Sequence, residues 1–426
     1  MTMNQNSRID LTVVKYTACA TFLYAICAGF RDNYGIMLPY LVEWSGISYS
    51  SVSFIIALGQ LFFGLMQPVF GFLALRTSAR LVLCGGFIGL ERTHKRHDAG
   101  FRTHILICLG ACMMLTGLGL IPYSSNMFML TVSLGILLPS GTAGASYGLI
   151  MSCINQTLTP HQAHISSGFV AAGIGFGICI LSPVIQSVVS AYGIVNGILL
   201  LSFIVALLIP ASVWMTRNLS GAKRQAAQGP KASLGEIFRP ALKEPAYQRI
   251  TFGFFTCGFH MAMIQTHLFS QLTTFGIPEH AAAYGMSVYG LGVIAGGVGS
   301  GMACARYRMS RILGVLYGSR CLWVALLLLP LPVPVLFAVI FMLAATGPAT
   351  LAPTAGMVHK LFEPARLATL LGFVYFIHQI GAFTSAWSGG LCRSLTGSYS
   401  GIWYADIVLC LCASLACLSI REAKRN

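Results

Sequence analysis

The sequence predicts an all-α membrane protein: a twelve-helix bundle made of two six-helix halves. Three observations carry this reading. Charge is scarce, apolar runs recur at membrane-spanning length, and basic residues gather in alternate loops. Of the 426 residues only 9% are charged and 56% are hydrophobic, with a mean hydropathy of +0.76. A soluble domain carries about 25% charged residues, and a soluble surface this poor in charge would self-associate. Lipid is the solvent that fits.

A span needs about 20 mostly apolar residues. Runs at 13–38, 50–71, 104–121, 126–150, 165–186 and 193–213 meet that length, and six more follow at 248–270, 282–303, 312–330, 333–357, 367–390 and 401–419. The chain therefore divides into an N-terminal half, 1–213, a central loop, 214–247, and a C-terminal half, 248–426. The first run is too long for a signal-peptide core and reads as a span. Within the central loop, Ser233 stands three residues before Glu236, the spacing of a capping box, so a short amphipathic helix is expected before Pro245.

The stretch "FIGLERTHKRHDAGFRTHILI" interrupts the third run. Residues 81–90 supply only about ten apolar residues, too few to cross a bilayer. Residues 91–104 read as an insertion, a cytoplasmic excursion, with the crossing left to 104–121. Removing Leu90 through Leu109 would join "LVLCGGFIG" to "ACMMLTGLGL" as one span.

Basic residues set the topology. With both termini in the cytoplasm, Arg8, Lys15, Arg76, Arg80, Arg306, Arg308, Arg311, Lys360 and Arg366 all fall inside, and only Arg393 stands clearly outside. The excess of 26 Lys and Arg over 11 Asp and Glu is spread over these loops and forms no nucleic-acid patch. The 14 cysteines lie mostly in apolar runs and read as small hydrophobes. His94, His97 and His104 lack cysteine or paired acids at ligand spacing, so no metal is expected. No phosphate-binding Gly-x-x-x-x-Gly-Lys loop is present, which argues against a built-in ATP motor. No cofactor is implied.

Longer motifs then carry a family resemblance. "GFRDNYGIMLPYL" lies in the first span, "GLMQPVFG" in the second, "THLFSQLTTFGIPEHAAAYGMSVYGLGVIAGGVGSG" in the seventh and eighth, and "RLATLLGFVYFIHQIGAF" with "LTGSY" near the end. Together they resemble the major facilitator superfamily, in particular its bacterial monocarboxylate-transporter-like branch, which includes oxalate/formate exchangers. The resemblance covers nearly the whole chain. It implies transport by rocking of two halves about a central site; the substrate does not follow from it, and the expected cargo is a small organic anion, a monocarboxylate or dicarboxylate, moved by secondary active or facilitated transport. It also implies a multi-pass protein of the bacterial inner membrane, working as a monomer, with protons as the leading coupling ion. Efflux of apolar or cationic compounds, or a non-transporting sensor on the same fold, is the alternative.

The superfamily signature after the second span resembles "GFLALRTSAR", where Gly71, Arg76 and Arg80 match but Leu75 occupies the aspartate position. "GMACARYRMSR" repeats it in the second half, where Gly301 and Arg306 match and Ala305 replaces the aspartate. The glycines allow close helix approach and the arginines suit headgroups and helix C-termini. The resemblance implies that the signature aspartate latches neighbouring helices on the cytoplasmic side in one conformation, and both such acids are missing here.

Candidate site residues are the polar groups stranded within the spans. Arg31 and Asp32 stand in the first span, where a charge needs a cavity or a route to the headgroups. The guanidinium of Arg31 suits a carboxylate; Asp32, a helical neighbour pointing elsewhere, is a proton site or counter-charge. Tyr34 and Gln67 lie in the same two motifs. Arg320 lies near enough to the cytoplasmic end to snorkel, or else serves a gate or substrate. His260 and His267, seven residues apart, share one helix face with Gln265 beside them, and His378 and Gln379 sit mid-span. Asp406, at the start of the last span, reads as a solvated surface group.

Overall fold

A computed structural model describes residues 11–76, 99–124, 126–154, 158–217 and 234–422. Among them every regular element is helical. In the N-terminal half these are α1 (Leu11–Asp32), α2 (Tyr34–Ser45), α3 (Tyr49–Arg76), α4 (Ala99–Leu120), α5 (Met127–Leu130), a π-helical turn (Thr131–Leu137), α6 (Leu138–Gly144), α7 (Tyr147–Ile154), α8 (Pro160–Ala206) and α9 (Leu208–Arg217). In the C-terminal half they are α10 (Leu234–Ala241), α11 (Pro245–Thr274), α12 (Glu279–Arg306), α13 (Met309–Leu327), α14 (Val333–Thr346), α15 (Leu351–Leu361), α16 (Pro364–Thr396) and α17 (Ser400–Leu418).

Ten stretches among the described residues are long and apolar enough to cross a membrane, so the chain is a multi-pass, all-α membrane protein. The longest of them, Ser166–Met215, turns at Gly193, whose φ of 74° and ψ of 168° no helix contains. A side chain would be strained there. Pro160–Ala206 is 47 residues long, about 70 Å at helical rise, so a straight rod would overshoot a hydrocarbon core of about 30 Å. α11 is 30 residues long but carries more polar side chains than the ten.

Local sequence explains the ends. Thr159 accepts from the Gln162 backbone N–H while the Gln162 side chain accepts from the Thr159 N–H at 3.0 Å, a reciprocal cap for α8. Glu244 caps α11, which starts on Pro245. The short helix expected before Pro245 is α10; its anticipated cap, Ser233, lies outside the described residues.

The third crossing falls at Leu106–Tyr123, close to the expected 104–121. Residues 91–98 lie outside the described residues, but 99–103, read as excursion, are already helical. Leu106 and Ile107 are buried in the bundle. Excising Leu90 through Leu109 would therefore remove core residues of α4 rather than only a passive addition.

The halves pack through α3 against α16, α8 against α12, and α2 against α11. Small residues permit this. A Cβ on Gly175 would meet the Gly290 carbonyl at 2.5 Å, and one on Gly64 would meet the Gln379 side chain at 2.6 Å. Toward the end that carries the termini the contact is lost. Gly168, Gly297, Gly301 and Gly372 have open space around them, and Phe169 and Met302 are 58% and 64% exposed. Gly301 thus makes no close approach here, against the expectation for a signature glycine, because the halves are splayed at its level.

The last described residues are pinned at that same end. Glu422 accepts from the Ser310 backbone N–H at 3.1 Å and hydroxyl at 3.2 Å, and it pairs with Lys360. Burial pushes its carboxyl up, but the Lys360 and Ser310 contacts outweigh that and hold it below its ordinary 4.5. A carboxylate held low when folded stabilises at pH above its unfolded value, and that stability is lost as pH falls through the folded value. Glu422→Gln is expected to flatten the acid-side fall in melting temperature below about pH 4.5. Melting curves of both forms from pH 6 to about 3 check this; identical acid limbs would remove Glu422 from the balance.

Candidate functional site between the halves

The site begins at a break in the first span. Asn33 leaves the helical region at φ −106°, ψ 13° and separates α1 from α2. Its side-chain amide donates to the Gly29 carbonyl at 2.7 Å and accepts from the Ser182 hydroxyl at 2.7 Å, so the break is tied to α8. Arg31 and Asp32 occupy the last turn of α1. They do not point apart, as expected of helical neighbours: Arg31 Nε donates to Asp32 Oδ1 at 2.8 Å. The long arginine stem folds back while its guanidinium lies 4.0 Å over the Phe63 ring. Asp32 Oδ2 and the Tyr34 hydroxyl are buried without partners. Only Nε of Arg31 is hydrogen-bonded, and the side chain keeps 13% of its surface open.

The C-terminal half supplies a second guanidinium. Arg320 on α13 is fully buried, so it does not snorkel. The interruption at Gly347 between α14 and α15 frees helix-end carbonyls, and Arg320 Nη2 donates to those of Thr346 at 2.5 Å and Gly347 at 3.0 Å. Its Nε and Nη1 have no partner. His378 on α16 stacks on Phe254 with ring centres 4.7 Å apart, and its Nδ1 is also unpartnered. It lies within electrostatic reach of both Arg31 and Arg320. The break in α1–α2 and the break in α14–α15 thus bring one arginine from each half within electrostatic reach of one histidine.

A binding centre at broken helices between two helical halves is the arrangement of secondary carriers. An uncharacterized MFS-type transporter YcxA of Bacillus subtilis (strain 168) is 24% identical over 397 residues, which cover 89% of this chain and 88% of that protein. Monocarboxylate transporter 12 of Rattus norvegicus is 25% identical over 337 residues, covering 71% of this chain and 68% of the relative, and its Mus musculus counterpart is 24% identical over the same length. The chain resembles major facilitator superfamily transporters. A family profile described as MgtC family also matches residues 79–219, less than half of the chain; that stretch holds α4 to α9, which pack in the same bundle.

In this major-facilitator-type bundle several wall residues were not visible from sequence. Tyr24 is close enough to Arg31, Asp32, Tyr147 and Tyr375 to feel each of them, and Tyr289 likewise feels Asp32 and Arg320. Tyrosines are ordinary in spans, so no local signal marks these four. Asn33 was readable only as part of its motif.

Other expected residues divide by place. His267 does not line the centre. Its Nε2 is bonded to the Ala386 carbonyl at 2.8 Å and its Nδ1 to the Tyr49 hydroxyl at 3.1 Å. Tyr49, from the N-terminal half, also bonds Tyr399 at 2.8 Å. Beside this, Tyr40 and Gln186 reach Glu279 across the halves at 2.5 and 3.0 Å. These contacts close the end of the bundle opposite the termini. Gln265 is buried where α11 backs onto Gly35 of α2, and Gln379 packs against Gly64. Gln67 is half-buried on α3.

His260 faces a third place, the interior of the C-terminal half, where its Nδ1 pairs with Asp406 at 2.6 Å. Asp406 is therefore a buried partner rather than the surface group expected from its position. Cys410 completes a trio whose ligand atoms lie within 4.8 Å of one another, a set that could hold a metal ion; the short Nδ1–Oδ2 separation is that of a hydrogen bond. Of the signature residues, Arg306 ends α12 on its exposed last turn, where a cation suits the helix dipole. Gly71 and Arg76 lie in the last turns of α3, and Arg80 lies outside the described residues.

Proposed function

We propose that the chain is a secondary carrier of a small carboxylate, moving it by alternating access. One observation carries this: two guanidiniums, one from each half, keep hydrogen-bond donors unfilled within electrostatic reach of the same histidine. A carboxylate accepts such donors in pairs. It would tie the halves together through its own two oxygens, which is what a carried anion must do. The name of the monocarboxylate transporter 12 relatives supports a monocarboxylate as the first choice. A cationic or apolar cargo would leave the open donors of both arginines unfilled.

Twelve crossings in two halves, 1–213 and 248–426, are part of this reading; the turn at Gly193 and the length of α11 support them. Basic-residue placement supports both termini in the cytoplasm of a bacterial inner membrane. The open end of the cleft then faces inward and the Tyr49 and Glu279 contacts close the outside. The protein acts as a monomer, with protons as the coupling ion.

Purified protein in proteoliposomes is expected to take up a monocarboxylate from a panel of formate, acetate, lactate, pyruvate and oxalate, and faster when the opposite side is alkaline. Uptake of none of the panel, with transport of a lipophilic cation instead, would establish efflux. On a cysteine-depleted background, Ser50→Cys and Ser398→Cys should react with an impermeant reagent on intact cells. Lys243→Cys should react only after permeabilisation, and its labelling from outside would overturn the orientation.

A further inference from the structure

Toward the open end of the cleft, the walls beside the arginines turn aromatic. Tyr24 stands on α1 seven residues before Arg31, so it shares that helix face and lies about 10 Å nearer the open end. Its ring is 5.9 Å from that of Tyr147 on α7, and both side chains are half-buried. From the other half comes Tyr375 on α16, three residues before His378 and so one turn nearer the open end on the same face. Its ring meets that of Phe254 on α11 edge-on at 5.5 Å, and Phe254, itself buried, also backs His378.

These tyrosines face the cleft and not lipid. Tyr375 is 38% exposed, yet it is within electrostatic reach of Tyr147 in the opposite half. Tyr24 is within reach of Tyr375, Tyr147 and Arg31 together. Gly372, one turn further toward the mouth than Tyr375, has open space around it where the halves are splayed.

The anion end and the aromatic wall are contiguous, since the Arg31 guanidinium itself lies over the Phe63 ring. A carboxylate at the unfilled donors of Arg31 and Arg320 would leave the rest of its molecule between these tyrosines. Formate and acetate are too short to reach them. A planar ring fits best, because aromatic pairs stacked offset or edge-on gain attraction beyond the area they bury. Tyrosine faces also attract cations, but two guanidiniums repel one here.

We infer that Tyr24, Tyr147 and Tyr375 form a ring-binding subsite continuous with the arginines, and that the cargo is an aromatic monocarboxylate. This rests on the carboxylate-carrier reading above and narrows it.

The test is equilibrium binding to the full chain in nanodiscs, read from the rise in melting temperature with ligand concentration. Phenylacetate should bind about tenfold tighter than acetate or better, and about threefold tighter than cyclohexylacetate, whose ring has no π face. Acetate or cyclohexylacetate binding as tightly as phenylacetate overturns the inference and leaves the carboxylate reading standing. Binding of none of the three acids, or tighter binding of benzyltrimethylammonium, removes the carrier reading and the inference with it. In proteoliposomes the ratio of phenylacetate to acetate uptake should fall about tenfold in Tyr375→Leu and be restored by Tyr375→Phe, which keeps the ring. An unchanged ratio in Tyr375→Leu overturns the subsite. Tyr24→Leu and Tyr24→Phe give the same reading if Tyr375→Leu fails to fold.

Discussion

Carboxylate uptake is expected to fall on the order of 100-fold in Arg31→Ala and about tenfold in Arg31→Lys, since a hydrogen bond to a charged group contributes about 1.5–3 kcal/mol. Lysine keeps the charge but not the planar fork that meets two carboxylate oxygens at once. The variant has a confounding cost: without Arg31, Asp32 is left buried and unpaired, which destabilises a fold whatever the site does. Arg31→Ala with Asp32→Asn removes that cost. The double variant should recover the melting temperature of the parent and remain as inactive as Arg31→Ala. Normal uptake by a folded Arg31→Ala protein would take Arg31 out of the site. Arg320→Lys should also be severe rather than mild. Its planar group holds the carbonyls of Thr346 and Gly347, and a lysine that reached only one would leave the interruption between α14 and α15 loose.

The second large effect concerns the closed end. Tyr49→Phe removes the bonds to His267 and Tyr399 while leaving the ring in place. At about 1 kcal/mol each, their loss should shift the balance toward the conformation open at that end by roughly 30-fold, if the open state leaves these groups to water. Ser53 is fully buried there, and a Cβ on Gly390 would strike it. On a cysteine-depleted background, Ser53→Cys reports the opening through its alkylation rate. That rate should rise by about the same factor when Tyr49→Phe is added. A rate that does not move would show that packing along α3 and α16, not the tyrosine, keeps this end shut. The missing acids at Leu75 and Ala305 give the test its interest. A chain without the usual latch at one end should depend more on contacts at the other.

Much of this protein was legible before its structure, and the reasons are particular. Spans announce themselves because a bilayer demands length and apolarity of each, whatever the neighbours. The basic residues gather in alternate loops, which is the ground for the proposed orientation. Arg31, Arg320 and His378 stood out because a polar group in an apolar run costs too much to be incidental. The third crossing obeyed the same rule of length and apolarity: the apolar run expected at 104–121 is matched by the candidate span Leu106–Tyr123.

What the sequence could not decide was partnership. Whether His267 meets a substrate or Tyr49 depends on two residues 218 positions apart. Asp406 looked solvated because it opens a span, yet it is buried because His260, 146 positions earlier, meets it. Arg320 looked able to snorkel because its height along the helix was readable while its direction was not. The sequence by itself determined the number of polar groups that the membrane interior must satisfy and roughly the depth of each. Which group satisfies which was left to the packing of helices around breaks at Asn33, Gly193 and Gly347, because hydrogen bonds are short and directional and only a folded chain sets those distances.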